Sequence, residues 1–535
     1  MVNAPLFFVF VPLFASIIVF LFNKPFVAKS LFVVQLLMAL VFVGYVLFLN
    51  QHPDQNVIVF GGWDRQFAIG FYNDTLSLSF IGLTILMWTV MLIYTFKTNQ
   101  KENKFLFFFM FLQGIFMGLL QTNDLFNLFV FMELMAVLIT ILIVYKKSGQ
   151  SFRAGIFYLL VTTVGSMFFL LGIIFIYYVY GTINIQMVME NIHQFSDRNI
   201  VKLAFIMMLS GLSIKAAIFP LFTWLPRAHG VAQSSISALL SGLIVKGALY
   251  LFVRIIIQMY QNANYGVENV LFYVGVVTAL VGVGFALVQK DLKQILAYHT
   301  VSQVGIMMMG LFAGGITSYA GGLLHIFNHA LFKSLLFLGA GVVIQRYHTK
   351  KVSEIRGVMK TMPLTGILLV VGMLSISGAP FFNGFVSKNL VKYDFKYDTL
   401  KMVLFTLINI GTVTSFLKFS QILFGPKTQS FIVTDRKQQF AMLILGLFCL
   451  GIGVFYYPLG QWLYGFDLKM VQLFDVSQWI DYALYVMIGL VLYRYVIVKD
   501  FKPLKRMREL SISFENANYL FILYMVAITV LIFIR

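Results

Sequence analysis

Five charged side chains stand within apolar runs long enough to cross a bilayer: Glu133, Lys215, Lys246, Lys333 and Lys388. A charge at mid-membrane costs at least ~2.5–3.5 kcal/mol, so a span that keeps one turns it toward a partner or toward water. His325, His329 and Lys333 follow at i, i+4 and i+8, on one face of a helix. Histidine titrates near neutral pH, and a lysine without surrounding water gives up its proton more readily. Such a stripe can hand a proton along through ordered water. His299 and Asp291 are outlying candidates for the same path. The chemistry these residues suit is proton transfer, with no bond made or broken in a substrate. No paired catalytic carboxylates, phosphate-binding glycine loop or cofactor motif accompanies them, so no catalytic residue and no cofactor is expected. His325 and His329 share a face, but no carboxylate or cysteine is near enough in sequence to complete a metal site.

Two of the lysines stand beside helix breakers. Lys215 precedes Pro220 in Ser213-Ile-Lys-Ala-Ala-Ile-Phe-Pro220, and proline removes a helical hydrogen bond and clashes with the carbonyl four residues back, at Ala216. Pro380, in Ser377-Gly-Ala-Pro380, interrupts a second span shortly before Lys388. A broken span exposes backbone carbonyls that are tolerable only against protein or water, which places both lysines beside hydrated interior.

The elements that must position these groups are membrane helices. Of 535 residues, 60% are hydrophobic and 11% charged, a balance that a water-soluble core cannot use. Spans are expected at 5–22, 28–49, 75–96, 105–121, 125–145, 154–181, 203–222, 232–258, 269–288, 294–313, 317–345, 362–391, 402–424, 439–457, 480–498 and 517–534. The first reads as a retained span because no small-residue cleavage site follows it. The net charge of +19 reports topology and no nucleic-acid partner: loops after odd-numbered spans hold 24 Lys and Arg against 7 in the opposite loops. Both termini are therefore expected outside an energy-transducing cell (inner) membrane. Arg254 and Arg494, near span ends, are expected to snorkel to the interface. The lone Cys449 reads as packing, as do the glycines of Gly339-Ala-Gly341. The two interrupted spans, seventh and twelfth, are five apart, as two inverted five-helix repeats would place them.

Four segments together resemble the antiporter-like proton-translocating subunits shared by respiratory complex I, membrane-bound hydrogenases and Mrp-type cation/proton antiporters. They are Lys215 through His229 (KAAIFPLFTWLPRAH), Asp291 through Gln303 (DLKQILAYHTVSQ), Asn328 through Lys333 (NHALFK) and Asn383 through Lys388 (NGFVSK). Gly61-Gly-Trp63, Asn73-Asp74 and Thr122 through Glu133 are most similar to the D-type subunits of Mrp antiporters. The resemblance implies an all-α polytopic membrane protein with about fourteen core helices in two inverted five-helix repeats, helices seven and twelve broken. The expected division is 1–104 for three flanking helices, 105–260 and 261–424 for the repeats, and 425–460 for helix fourteen. Residues 461–535 depart from the plain form as an extension of about two helices; one role open to it is docking a neighbouring subunit.

The resemblance also assigns roles. Glu133 is expected to pair with Lys215, Lys246 to follow, His325, His329 and Lys333 to form the relay, and Lys388 to release the proton. The leading expectation is one membrane subunit of a multisubunit Na⁺ or other monovalent cation/proton antiporter, with further membrane subunits, H⁺, the cation and the lipid bilayer as partners. A proton-pumping subunit of a complex-I-like oxidoreductase or membrane-bound hydrogenase is the alternative. A membrane proton-coupling subunit for a soluble partner, such as one taking up inorganic carbon, is a third.

Overall fold

A helix satisfies its own backbone hydrogen bonds, so long apolar runs in a lipid setting have little choice but to coil. The computed structural model describes residues 1–22, 24–99, 102–263, 265–426, 434–458, 461, 476–510 and 512–534. Lys101, Lys427 and Lys469 of the loop charge count lie outside the described residues. In chain order the helices begin with α1 (Ala4–Leu21), α2 (Pro25–Gln51), α3 (Thr75–Asn99), α4 (Asn103–Gln121), α5 (Leu125–Val144) and α6 (Gly149–Tyr180). Next come α7 (Asn199–Lys215), α8 (Trp224–Val231), α9 (Ser234–Met259), α10 (Glu268–Val288), α11 (Leu292–Leu311) and α12 (Ile316–Tyr347). The chain ends with α13 (Pro363–Ser377), α14 (Asn383–Val391), α15 (Thr399–Phe419), α16 (Arg436–Val454), α17 (Val476–Leu492), α18 (Lys502–Glu509) and α19 (Phe514–Phe533).

Thirteen of the described helices are long and apolar enough to cross a membrane. The other three expected spans are also present as α7, as α11, and as the two half-helices α13 and α14. What the apolar pattern did not announce is a small antiparallel hairpin between α2 and α3, Val57–Val59 with Gly70–Tyr72, in which Ile58 faces Phe71. Strands of three residues are too short to carry a readable alternation.

Two compact units share the chain. The first comprises Met1–Ala216, Leu243–Gly266 and Phe514–Arg535. Within it α6 packs along α7, and α4 lies against α1, α3 and α5. The last helix, α19, joins this unit: Tyr524 shares a 3.0 Å hydrogen bond with Ser213 of α7, and Phe521 meets Phe168 of α6 edge-on at 4.8 Å. Arg254 corrects an expectation. It does not snorkel but is buried, with both terminal nitrogens donating to the Asp74 carboxylate at 2.7 Å. A buried guanidinium keeps its charge at tolerable cost with a forked partner of this kind.

The second unit comprises Ala217–Gly242 and Val267–Ser513. Its centre is α12, which packs on α11, α13, α14 and α16. An added Cβ at Gly339 would lie 2.6 Å from a Leu369 methyl, so this glycine sets the approach of α12 to α13. The extension helix α17 packs on α15, and α18 packs on α10. Just beyond α17, Asp500 accepts from Lys290 at 2.7 Å and from Arg508, while Arg508 Nε donates to the Val288 carbonyl at the end of α10.

Both expected breaks are real interruptions. After Lys215 the chain leaves the helix until Trp224, with Ala217 at φ +56°. After Ser377 it does so again, with Gly378 at φ +79° and Phe381 at φ +72°. A side chain other than glycine at positive φ is uncommon, and each break contains one. The helix restarting at Asn383 approaches its neighbour so closely that a Cβ on Gly384 would collide with the Ser375 carbonyl oxygen. Gly384→Ala is expected to cost about 1–3 kcal/mol by overpacking, seen as a lowered Tm of the detergent-purified complex. A second expectation concerns pH. Hydrogen bonds from Arg508 and Lys290 hold the Asp500 carboxyl down at about 2. A depressed folded value means stabilisation that is fully present above the ordinary carboxylate pKa of about 3.9 and is lost as pH falls through the folded value. Hydrogen exchange across residues 499–510 should therefore stay protected at pH 5 and accelerate only toward pH 2.

Candidate functional site

In the first unit the carboxylate of Glu133, midway along α5, comes within 3.7 Å of Lys215 Nζ at the end of α7. Lys215 is 8% exposed and Glu133 24%, so the pair is largely withdrawn from solvent. At 3.7 Å it is an ion pair without being a close hydrogen bond; Thr163 approaches the other carboxylate oxygen at 3.5 Å. Lys215 is the last helical residue before the break, where the negative end of the helix dipole favours a cation. Lys246 is fully buried in α9, between two π-helical stretches, Leu240–Ile244 and Phe252–Met259. Such widened turns recur where a helix has been adapted to a functional side chain.

In the second unit the α12 stripe is fully buried: His325, His329 and Lys333 expose nothing. His325 is held from two sides, its Nδ1 2.8 Å from Ser387 Oγ on α14 and its Nε2 3.0 Å from Gln303 Oε1 on α11. The amide oxygen can only accept, so Nε2 carries a hydrogen. Nδ1 can then accept from the Ser387 hydroxyl when the ring is neutral or donate to it when the ring is protonated. Ser387 Oγ also lies 3.2 Å from the Asn383 carbonyl, to which its hydrogen can turn in the second case. The site thus accepts either charge state by rotating one hydroxyl. The His325 and His329 rings are 6.5 Å apart, centre to centre. Lys333 Nζ lies 5.9 Å from the centre of Phe337, whose other neighbour is His229, stacked at 4.6 Å.

Lys388, on α14, returns to the broken end of α13. Its Nζ donates to the Ile376 carbonyl at 2.7 Å and to Asn409 Oδ1 at 2.9 Å. The break itself is pinned to α12 by reciprocal amide contacts: Asn328 Nδ2 to the Asn383 carbonyl at 2.8 Å and Asn383 Nδ2 to the Asn328 carbonyl at 3.4 Å.

The outlying candidates fare differently. His299 is fully buried against Phe416, ring centres 4.8 Å apart. Asp291 caps α11, its carboxylate accepting from the Lys293 and Gln294 amides at 2.7 and 3.1 Å. That is an N-cap's geometry and accounts for the residue without any proton transfer. Pro220 and Pro380 both lie within the breaks. Among the described residues no group of three or more His, Cys, Asp or Glu could hold a metal ion.

Sequence reasoning passed over Gln303, Ser387, Asn409 and Asp74, the partners that hold the charged groups. A signal was present for one of them, since the amide of Asn409, in Thr406-Leu-Ile-Asn-Ile-Gly411, has no packing reason to stand among apolar neighbours. Lys418 falls inside the expected span 402–424. It donates to three carbonyls at the end of α10, those of Ala286, Leu287 and Gln289, at 3.1, 2.7 and 2.6 Å.

Residues 122–417 match the family model described as NADH:quinone oxidoreductase/Mrp antiporter, transmembrane. The chain belongs to this family. Among relatives, a Staphylococcus aureus (strain Mu3) protein named as antiporter subunit mnhD2 is 28% identical over 450 residues, covering 82% of this chain and 90% of its own. The mnhD2 protein of strain JH9 is 29% identical over 380 residues, 70% of this chain and 76% of its own. Two solved structures share the fold at 24% identity. A chain of the archaeal membrane-bound sulfane sulfur reductase superposes with TM-score 0.81, covering 91% of this chain and all of its own. A chain of the Mrp complex from Dietzia sp. DQ12-45-1b gives 0.79, covering 90% and 99%. This member of the antiporter family is accordingly a multi-pass membrane protein, and its buried Glu, Lys and His lie within the matched segment.

The geometry separates Lys418 from the other buried lysines of this family member. With three backbone carbonyls as partners it is a helix-end cap. Lys418→Met should cost about 1–3 kcal/mol from the unsatisfied carbonyls, read as a lower Tm, while ion flux per assembled complex stays near wild type.

Proposed function

We propose that the chain is the proton-translocating membrane subunit of a multisubunit monovalent cation/proton antiporter, Na⁺ being the first cation to test. The observation that carries the reading is the Glu133–Lys215 pair, 3.7 Å apart and largely withdrawn from solvent, at the end of a helix that stops within an expected span. Family membership and the relatives named as antiporter subunits support it.

In this reading protons pass by way of Lys215, Lys246, the His325–His329–Lys333 stripe and Lys388. Glu133 regulates the first of these. At an effective dielectric of about 20, unit charges attract with roughly 4 kcal/mol at 4 Å and roughly 2 at 8 Å. A motion of a few ångströms between α5 and α7 therefore changes proton occupancy of Lys215 by more than tenfold, without any change in bonding. His325 passes a proton on by the hydroxyl rotation of Ser387. Lys388, held at a helix end by one carbonyl and one amide oxygen, is the last of the series. The Lys and Arg asymmetry supports both termini outside the cell membrane, which puts the Lys388 end of its span toward the outer face.

The test is cation-induced proton movement in inverted vesicles carrying the whole complex, at matched amounts of assembled subunit. Addition of Na⁺ or K⁺ should dissipate the pH gradient in wild type, and Glu133→Ala, Lys215→Ala and Lys388→Ala should each reduce this at least tenfold. Proton movement that ignores cations and appears only with an electron donor such as NADH would replace the antiporter by a redox-driven pump.

A further inference from the structure

The second unit contains a cavity of about 40 Å³ beside Lys388 that no step above uses. Its polar lining comes from two sources. Lys388, Lys392 and Asn409 belong to the α14–α15 region, whereas Gln478, Asp481 and Tyr482 belong to α17, in the C-terminal extension. Positions 478, 481, 482 and 485 share one face of that helix, so its polar residues are gathered on the side turned to Lys388. Tyr482 fastens this face to the break itself, its hydroxyl 2.9 Å from Ser377 Oγ at the end of α13. Gln478 Oε1 is buried and has no hydrogen-bond partner among the described residues. Lys388 is 5% exposed, while Asp481 is exposed, so the two bracket the cavity from its inner and outer ends. One water needs about 10–15 Å³ of such space and two to four polar partners, so the cavity has room for roughly three or four.

A helix that packs only by its apolar side chains has no need to set a carboxylate and an amide with a buried oxygen around the Lys388 cavity, where that oxygen is costly without a partner or water. Nothing in the apolar packing of α17 on α15 needs them. We propose that α17 supplies the outer mouth of the proton path, with Asp481 receiving through cavity water the proton that Lys388 releases and passing it to bulk solvent. Lys388 gives up one proton to a water, a water gives one to the Asp481 carboxylate, and the resulting acid returns it to the outside; no charge accumulates over the cycle. Gln478 orients the water between them. This rests on the antiporter reading above, in which Lys388 is the last buried carrier.

The competing explanation is that Asp481 only neutralises Lys392, which lines the same cavity. Proton flux in inverted vesicles containing the whole complex, at matched assembly, separates the two. Asp481→Asn is expected to lower cation-driven flux at least tenfold, Asp481→Glu to retain most of it, and the pair Asp481→Asn with Lys392→Gln to stay low. Wild-type flux in Asp481→Asn, or recovery in the pair, overturns the proposal. If Lys388→Ala is also without effect, the antiporter path fails with it; if Lys388→Ala abolishes flux and Asp481→Asn does not, only the mouth is misplaced. A second measurement does not depend on turnover. In a Cys449→Ser background, Asp481→Cys, at the exposed end of the cavity, should react with a membrane-impermeant maleimide in right-side-out vesicles, and no reaction from that side overturns the outer opening.

Discussion

Where a helix stops inside an apolar layer, its last carbonyls lose their partners, and every such oxygen must be met by a donor from elsewhere in the protein. Much of this structure follows from that single demand. The end of α13 is met by Lys388 at the Ile376 carbonyl, and the start of α14 is tied to α12 by Asn328. The same need arises at the natural end of a span: the last turn of α10 takes three hydrogen bonds from Lys418, and its Val288 carbonyl takes one from Arg508. Lysine and asparagine serve because their donors reach carbonyls at the end of a flexible or amphipathic stem. The polar groups that a proton path needs are thus placed in the membrane by the same requirement that makes broken helices tolerable.

The fold was legible in the sequence because apolar runs and charge asymmetry are long-range, redundant signals. All sixteen expected spans have helical counterparts, and even the two breaks were marked by Pro220, Pro380 and the glycines beside the second. The hairpin at Val57–Val59 and Gly70–Tyr72 was not readable, being three residues a side. At the site, the charged residues declared themselves through cost: a lysine such as Lys246 in an apolar run has to be explained. Their partners did not. Gln303 and Ser387 are cheap enough to bury that nothing in composition singles them out, Asn409 is marked only as a lone amide among apolar neighbours, and only the structure shows that they hold His325 and Lys388. Arg254 misled for a related reason. Its closeness to the span end suggested an escape to the interface, yet Asp74, distant in sequence, is folded against it.

His325 and Glu133 illustrate two ways of holding a proton carrier. His325 is clamped by two short contacts, and one of its partners, a hydroxyl, can reverse its role, so a change of charge needs no movement of the backbone. Glu133 and Lys215 stand 3.7 Å apart without a close hydrogen bond between them, so their attraction depends on how α5 and α7 sit. The first arrangement suits conduction, where speed is gained by not reorganising. The second suits control, because a small displacement of a loosely coupled pair alters its energy by more than the thermal scale.

The same distinction explains why two lysines with similar surroundings need not share a role. A protonated lysine has three N–H donors and a neutral one has two. Lys388 gives hydrogen bonds to two oxygens, the Ile376 carbonyl and Asn409 Oδ1. It can lose a proton and keep both, with the freed lone pair ready to accept the next. Lys418 gives hydrogen bonds to three carbonyls at once. Removing its proton leaves one of them without a donor, at a cost of about 1–3 kcal/mol for an unsatisfied buried group, and turns a lone pair toward carbonyl oxygens. Counting acceptors against donors therefore assigns Lys388 to transfer and Lys418 to structure, although both are buried and both cap a helix end.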